Sequence, residues 1–197
     1  MVIWNPWHGC HKVSEGCAHC YMYFLDSKRG LDTSHVFRTE NFTLPIQRRR
    51  NGQFKLPSGM TLYVGLSTDF FVEEADPWRD EAWHIMRQRP DIFFRLLTKR
   101  PQRFSKCLPD DWGDGYDNVM LNVTTENQKR ADERLPILIN TPAKHRLLRE
   151  RLRVGDRRSE FRYSFTDISD MFGFSSLSHF SRYVQTNLGA RPSDFRE

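Results

Sequence analysis

Apolar residues in the first part of the chain form short runs that alternate with helix-like segments. Three runs rich in apolar and aromatic residues have the length of strands: 61–66, 92–97 and 119–123. Segments with the length and periodicity of helices lie between and after them: 76–89, 101–107 and 128–135. The strands recur at intervals of about thirty residues, which is the rhythm of βαβ units in a parallel sheet. The pattern therefore predicts an α/β fold.

Local signals predict where these helices begin and end. Asp76 and Pro77 indicate a helix start, with the aspartate as the cap and the proline in the first turn. Pro90 indicates the end of the same helix. An earlier helix is expected over residues 21–29, and the apolar residues 136–139 are expected to begin a further strand.

Polar triplets directly follow the three predicted strands. They are Ser67-Thr68-Asp69, Thr98-Lys99-Arg100 and Thr124-Thr125-Glu126. In parallel α/β sheets, ligands bind outside the carboxyl ends of the strands. Any single residue of the triplets fits ordinary loop polarity or helix capping equally well. The set as a whole favours one shared site at this edge of the sheet.

Three of the four cysteines lie close together, with the spacing C-x6-C-x2-C. The three are Cys10, Cys17 and Cys20. Thiolates are strong ligands for soft and borderline metals, and Gly9 and Gly16 give the intervening chain the freedom to fold back. The spacing therefore predicts one shared metal centre, whereas Cys107 is expected to be a buried or inert thiol.

The number of cysteines bears on the kind of metal. A closed structural zinc site takes four protein ligands, whereas three thiolates leave one iron of an iron–sulfur cluster open to an outside ligand. Two alternatives stay open, namely zinc completed by His8, His11 or His19, and no metal at all. A disulfide is disfavoured, because nothing marks the chain as secreted.

The N-terminal motif W-N-P-W-H-G-C-x6-C-x2-C-Y resembles the signature of a phage-associated family of radical-SAM-like, three-cysteine proteins of unassigned function. The likeness covers about residues 1–145 and continues through four further motifs: 67–71, 97–100, 108–113 and 123–127. It implies a radical-SAM-like βα barrel and a [4Fe–4S] cluster held by Cys10, Cys17 and Cys20. S-adenosylmethionine (SAM) would bind the open iron. The chain is thus a candidate radical SAM enzyme whose substrate the sequence does not name.

The same resemblance implies cofactor-binding residues. His19 precedes the last cysteine of the motif, and in radical SAM enzymes that position lies near the adenine of SAM. Ser67, Asp69 and Lys99, at the ends of predicted strands, are the further cofactor-binding candidates. No catalytic residue is assigned.

The likeness ends near residue 146, where the charged, helix-leaning run Arg146–Arg153 replaces the apolar strand that the family would continue with. The barrel is therefore expected to be incomplete. Residues 144–162 hold eight basic and three acidic residues, an excess that equals the net charge of +5 of the whole chain. Such a run attracts phosphates, and it equally fits a solvated helix or linker.

The last residues resemble the second helix-turn-helix of AraC/XylS-type transcription regulators. The likeness spans about residues 160–197 and is carried by G-F-S-S-L-S-H-F-S-R, followed by G-x-x-P-S-x-F-R. It implies a small all-α segment whose second helix enters the major groove. The candidate DNA-binding residues on that helix are Ser176, Ser178, His179 and Arg182.

The sequence therefore predicts three parts. Residues 1–145 form a truncated radical-SAM-like domain, 146–162 a basic linker or helix, and 163–197 the AraC-like helix-turn-helix. Three hypotheses about function follow: an iron–sulfur protein that binds SAM, a protein that contacts DNA through residues 144–197, and an inactive fusion of two incomplete genes.

The chain shows no sign of a membrane association. No apolar run approaches the roughly 20 residues that a membrane-spanning helix needs, and the N-terminus lacks the basic and apolar regions of a signal peptide. A cytoplasmic location is expected, and a reducing compartment suits thiolate ligands.

Overall fold

The computed structural model describes residues 2–18 and 20–146, together with residues 176, 178, 181 and 182. His19 lies outside the described residues. So do most of the predicted basic segment and most of the predicted helix-turn-helix.

The described part of the chain is a mixed α/β structure. Its strands, in chain order, are β1 (Val2–Trp4), β2 (Trp7–His8), β3 (Phe37–Arg38), β4 (Thr61–Val64), β5 (Phe93–Thr98), β6 (Val119–Val123) and β7 (His145–Arg146). Its α-helices are α1 (Tyr21–Lys28), α2 (Asp76–Gln88), α3 (Phe104–Cys107) and α4 (Gln128–Asn140). No helix among these residues combines the length and the apolar composition that a membrane crossing requires.

Five of the strands form one sheet in the order β1-β4-β5-β6-β7, and every neighbouring pair is parallel. Within residues 2–146 this sheet is open, so the described strands do not close into a barrel. The remaining strands, β2 and β3, pair with each other in antiparallel fashion. Their pairing brings together the two ends of residues 9–36, the segment that contains Cys10, Cys17, Cys20 and α1.

The predicted parallel α/β architecture is confirmed, and the central strand β6 has the predicted bounds. Strand β4 ends two residues earlier than predicted. Gly65 follows it with a φ of 77°, a left-handed conformation that turns the chain out of the strand. Strand β5 is displaced by one residue and includes Thr98.

The further strand predicted at residues 136–139 is wrong, because α4 continues through Pro136 to Asn140. The buried residues of this helix are Ala131, Arg134 and Leu138, which are separated by three and four positions. That spacing places them on one face of a helix. The apolar residues after Pro136 therefore continue a helical pattern and do not begin a strand.

Two edge strands were not predicted. Strand β1 pairs with β4, and β7 pairs with Met120 and Leu121 of β6. The charged run expected from Arg146 onward thus has its first residue in a strand of the sheet, and the rest of the run lies outside the described residues.

The predicted aspartate cap of α2 is also wrong. Asp76 is already part of the helix, and its carboxylate binds Arg79, Arg103 and Lys106. Those contacts hold its pKa at about 2 although burial works in the opposite direction. Asp76 therefore joins the start of α2 to α3 and the turn before it.

A continuous apolar core lies between the sheet and the buried sides of α2 and α4. Trp83 of α2 lies at its centre, fully buried, with ring contacts to Phe70, Phe71 and Trp112. Its indole N–H donates to the carbonyl of Cys107 at 2.8 Å, which satisfies its one polar atom.

We expect Trp83→Ala to lower the free energy of unfolding by about 3–5 kcal/mol, because the lost ring leaves a cavity in the core. Phe24→Ala is the control, since that ring is 59% exposed, and we expect a change within about 0.5 kcal/mol. Urea denaturation of both variants measures the difference, and equal losses would contradict this description of the core.

Candidate functional site

The segment with the three cysteines, here called the cysteine loop (residues 9–20), is fixed to the carboxyl end of β4. The Gly9 N–H donates to the Ser67 carbonyl at 3.2 Å, and the Thr68 hydroxyl donates to the Gly9 carbonyl at 2.5 Å. Gly9 has a φ of 96°, and a Cβ there would overlap the backbone of His35 and Val36. A glycine is therefore required where the loop meets the sheet.

The buried carboxylate of Asp69 binds the end of the neighbouring strand. It accepts hydrogen bonds from the Thr98 hydroxyl at 2.6 Å and from the Lys99 backbone N–H at 2.9 Å. It also lies 3.3 Å from the Arg100 guanidinium. The Phe71 N–H donates a further hydrogen bond to the carboxylate. Asp69 is only 5% exposed, so its hydrogen-bond partners are groups of the protein. Asp69 therefore acts as a support for the site.

The residues that Asp69 holds point towards two different cysteines. The Lys99 ammonium lies 3.7 Å from Cys17 Sγ. The Arg100 guanidinium lies 3.5 Å from Cys10 Sγ and donates to the His11 carbonyl at 2.9 Å. Each cation therefore has its own thiol.

The third triplet contributes Glu126. Its carboxylate lies 2.9 Å from the Lys99 ammonium and 2.6 Å from the guanidinium of Arg134 in α4, and it accepts a hydrogen bond from Ser14 of the cysteine loop. A Cβ at Gly16 would overlap the Glu126 side chain. Burial raises the pKa of Glu126, but the Ser14 and Lys99 hydrogen bonds outweigh it and hold that pKa below its ordinary value.

The structure thus brings all three predicted triplets to one edge of the sheet, together with the cysteine loop. Asp69 and Lys99 are part of this arrangement. Ser67 contacts the cysteine loop, because its backbone carbonyl accepts a hydrogen bond from Gly9. Whether these residues bind a cofactor stays a prediction.

The environments of two thiols differ in their effect on ionisation. Burial raises the pKa of Cys10 to about 11, although the Arg100 charge partly opposes it. Burial also raises the pKa of Cys17, but a backbone hydrogen bond from Val13 and the charge of Lys99 outweigh it, so the pKa falls below its ordinary value. Cys17 is therefore the more readily ionised thiol of the two.

All three loop cysteines are free thiols. Cys17 is buried, Cys10 and Cys20 are half-buried, and Cys20 is the residue that directly precedes α1. Within residues 2–18 and 20–146, no three His, Cys, Asp or Glu side chains are grouped so as to hold a single metal ion. The thiolates of an iron–sulfur cluster bind different iron atoms and need not meet at one point. Three thiols, two of which each have a cation beside them, fit a cluster of this kind.

The histidines considered as zinc ligands have other partners. His8 Nε2 lies 2.9 Å from the buried Asp26 carboxylate, and His11 Nε2 lies 2.6 Å from Glu74. His19, the third of them, is outside the described residues. A carboxylate on one ring nitrogen also orients histidines that bind zinc through the other, so zinc completed by a histidine stays a prediction.

Cys107 was expected to be a buried or inert thiol. It is buried, and its sulfur lies 3.3 Å from the Arg79 guanidinium. Arg79 in turn binds Asp76 and two backbone carbonyls. The expectation of a buried thiol is confirmed.

Three of the four DNA-binding candidates are described residues, but most of the segment around them is not. His179 is outside them, while Ser176, Ser178 and Arg182 are exposed, and Ser178 and Arg182 are helical. Contact with DNA therefore stays a prediction.

Sequence reasoning missed the individual roles of Ser14, Arg100 and Arg134. Arg100 was named only as part of a triplet, and its place two residues after a buried strand was the available signal. No signal near Ser14 or Arg134 points to Glu126, because that contact depends on the fold.

The molecule is thus an α/β protein that carries a three-cysteine loop on the carboxyl edge of a parallel sheet. A family model described as "Protein of unknown function (DUF5131)" matches residues 2–151. The chain belongs to that family. No curated protein and no solved structure matches the chain.

In the metal-free protein, we expect alkylation of Cys17 to reach its plateau at a lower pH than alkylation of Cys10. The thiolate is the reacting species, so each rate rises with pH until the pKa of its thiol is passed. Peptide mapping of iodoacetamide adducts over a pH series measures both profiles.

The control variants separate the charge effect from accessibility. Lys99→Gln should move the Cys17 profile to higher pH, whereas Lys106→Gln should leave it unchanged, since Lys106 contacts Asp76 and no thiol. A Cys10 profile at lower pH than that of Cys17 would contradict the assignment.

Proposed function

We propose that this chain is a radical-SAM-like iron–sulfur protein. Cys10, Cys17 and Cys20 would hold a [4Fe–4S] cluster at the carboxyl edge of the sheet, and SAM would bind the open iron. The observation that carries the proposal is the position of the cysteine loop, which lies over the strand ends with Lys99 and Arg100 beside two of its thiols.

The protein supplies charge, shape and shielding to this site. Lys99 and Arg100 would offset the negative charge of thiolate ligands, and Asp69 holds the Lys99 backbone and the Arg100 guanidinium. The partial burial of the loop limits water around the sulfur atoms, which matters for the potential of a redox centre. When bound, a cluster of this type supplies the electron that cleaves SAM to a 5′-deoxyadenosyl radical.

The open, all-parallel sheet supports an incomplete βα barrel as the scaffold. Positioning of a substrate depends on a rigid wall around the reacting atoms. Five strands provide one side of such a wall, so we expect SAM cleavage by this chain to be weak.

We expect anaerobic reconstitution with iron and sulfide to give a brown protein with stoichiometric iron and sulfide. Cys17→Ala should lose the chromophore because one of three ligands is gone, while Cys107→Ala should keep it. Iron and sulfide analysis, together with absorbance spectroscopy, compares the two variants with the wild type.

Binding of SAM to the open iron can be measured separately. Addition of SAM should change the electron paramagnetic resonance spectrum of the reduced cluster, since SAM would bind the metal directly. Stoichiometric zinc without iron in protein purified under anaerobic conditions would refute the cluster. No metal at all, together with no retention on DNA, would favour the inactive fusion.

A further inference from the structure

The two cations of the site lie in different surroundings. The Arg100 side chain is 2% exposed, and the Lys99 side chain is 23% exposed. Lys99 is paired with Glu126 at 2.9 Å. Arg100 has the buried Asp69 at 3.3 Å, and its other carboxylate partner, Glu73 at 3.4 Å, is 55% exposed.

The buried and half-buried charges of the site do not balance. Lys99, Arg100 and Arg134 are positive, and the half-buried or buried carboxylates facing them are those of Asp69 and Glu126. One positive charge is left over among these five side chains, and Glu73, whose side chain is 55% exposed, is a carboxylate outside this set that offsets it. A buried charge is costly unless it is paired, so the buried part of the site favours an additional anion. Cys10 Sγ lies 3.5 Å from Arg100 and Cys17 Sγ lies 3.7 Å from Lys99, so a centre bound by these sulfur atoms would bring such a charge.

A one-electron reduction adds one negative charge to a cluster and breaks no bond. A fixed cation beside the ligand sulfur stabilises the reduced form more than the oxidised form, and so it raises the reduction potential. Net charge, hydrogen bonds to sulfur and solvent exposure are the recognised determinants of cluster potentials. The same cation has a greater effect where water does not screen it.

We propose that Lys99 and Arg100 set the reduction potential of the cluster through their contacts with Cys17 and Cys10, and that Arg100 contributes more. The inference rests on the proposed function, because it requires the cluster to be present. Arg100 has the greater effect because it is buried. Both cations have a carboxylate partner, Glu126 for Lys99 and Asp69 for Arg100, so the difference comes from the solvent that screens Lys99.

The test is a potentiometric titration of the reconstituted full-length protein, with dithionite as the one-electron reductant and electron paramagnetic resonance as the readout. Arg100→Gln should make the reduced form about tenfold less favourable, which corresponds to a potential lower by about 59 mV for one electron. Lys99→Gln should lower the potential by less, and Arg100→Lys should keep most of the wild-type value.

Two further variants separate charge from structural damage. Glu126→Gln removes a negative charge beside Lys99, so it should raise the potential, the opposite direction to the other variants. Lys106→Gln is the control, since the Lys106 side chain is 71% exposed and contacts Asp76 and no thiol. It should leave the potential unchanged.

The outcomes distinguish a protein that binds no cluster from one whose cluster is insensitive to Lys99 and Arg100. Wild-type protein without a cluster would refute the proposed function before any potential is measured. If Arg100→Gln and Lys99→Gln both bind the cluster and both keep the wild-type potential, this inference is overturned and the proposed cluster is not. If Arg100→Gln does not retain the cluster, the opposite shifts of Lys99→Gln and Glu126→Gln decide the question.

Discussion

The buried Asp69 carboxylate is the interaction on which the candidate site depends. It joins the end of β4 to the end of β5 through Thr98 and the Lys99 backbone, and it holds the Arg100 guanidinium. A carboxylate with these donors stays buried because its hydrogen bonds replace those of water. Without it, the Lys99 backbone and the Arg100 guanidinium would lose their buried acceptor, beside the two thiols that these residues contact.

Much of the architecture follows from local sequence. The apolar run of β6 is bounded by polar residues on both sides, so its ends were visible, and the triplets after β4, β5 and β6 could be placed at one edge by topology alone. Parallel strands that follow one another in a sheet bring their carboxyl ends together. The convergence of Asp69, Lys99 and Glu126 is a consequence of that rule.

Other features depend on contacts that no local pattern encodes. Strands β1 and β7 have three and two residues, which is too short for a period to be recognised, and their pairing partners define them. The contact of Arg100 with Cys10 joins residues that lie ninety positions apart in the chain. The apolar residues after Pro136 match a strand in composition, and the burial of Leu138 in the core decides for a helix.

The attachment of Gly9 to Ser67 and Thr68 has a consequence for any shortened form of this protein. A peptide that ends after α1 would keep every sulfur donor but would lack both cations and the backbone groups that shape the loop. Its thiols would be equivalent and hydrated, and its choice among metals would follow the intrinsic preference of thiolates. The chemistry of the three cysteines in the whole protein is therefore as much a property of residues 67–126 as of the motif that contains them.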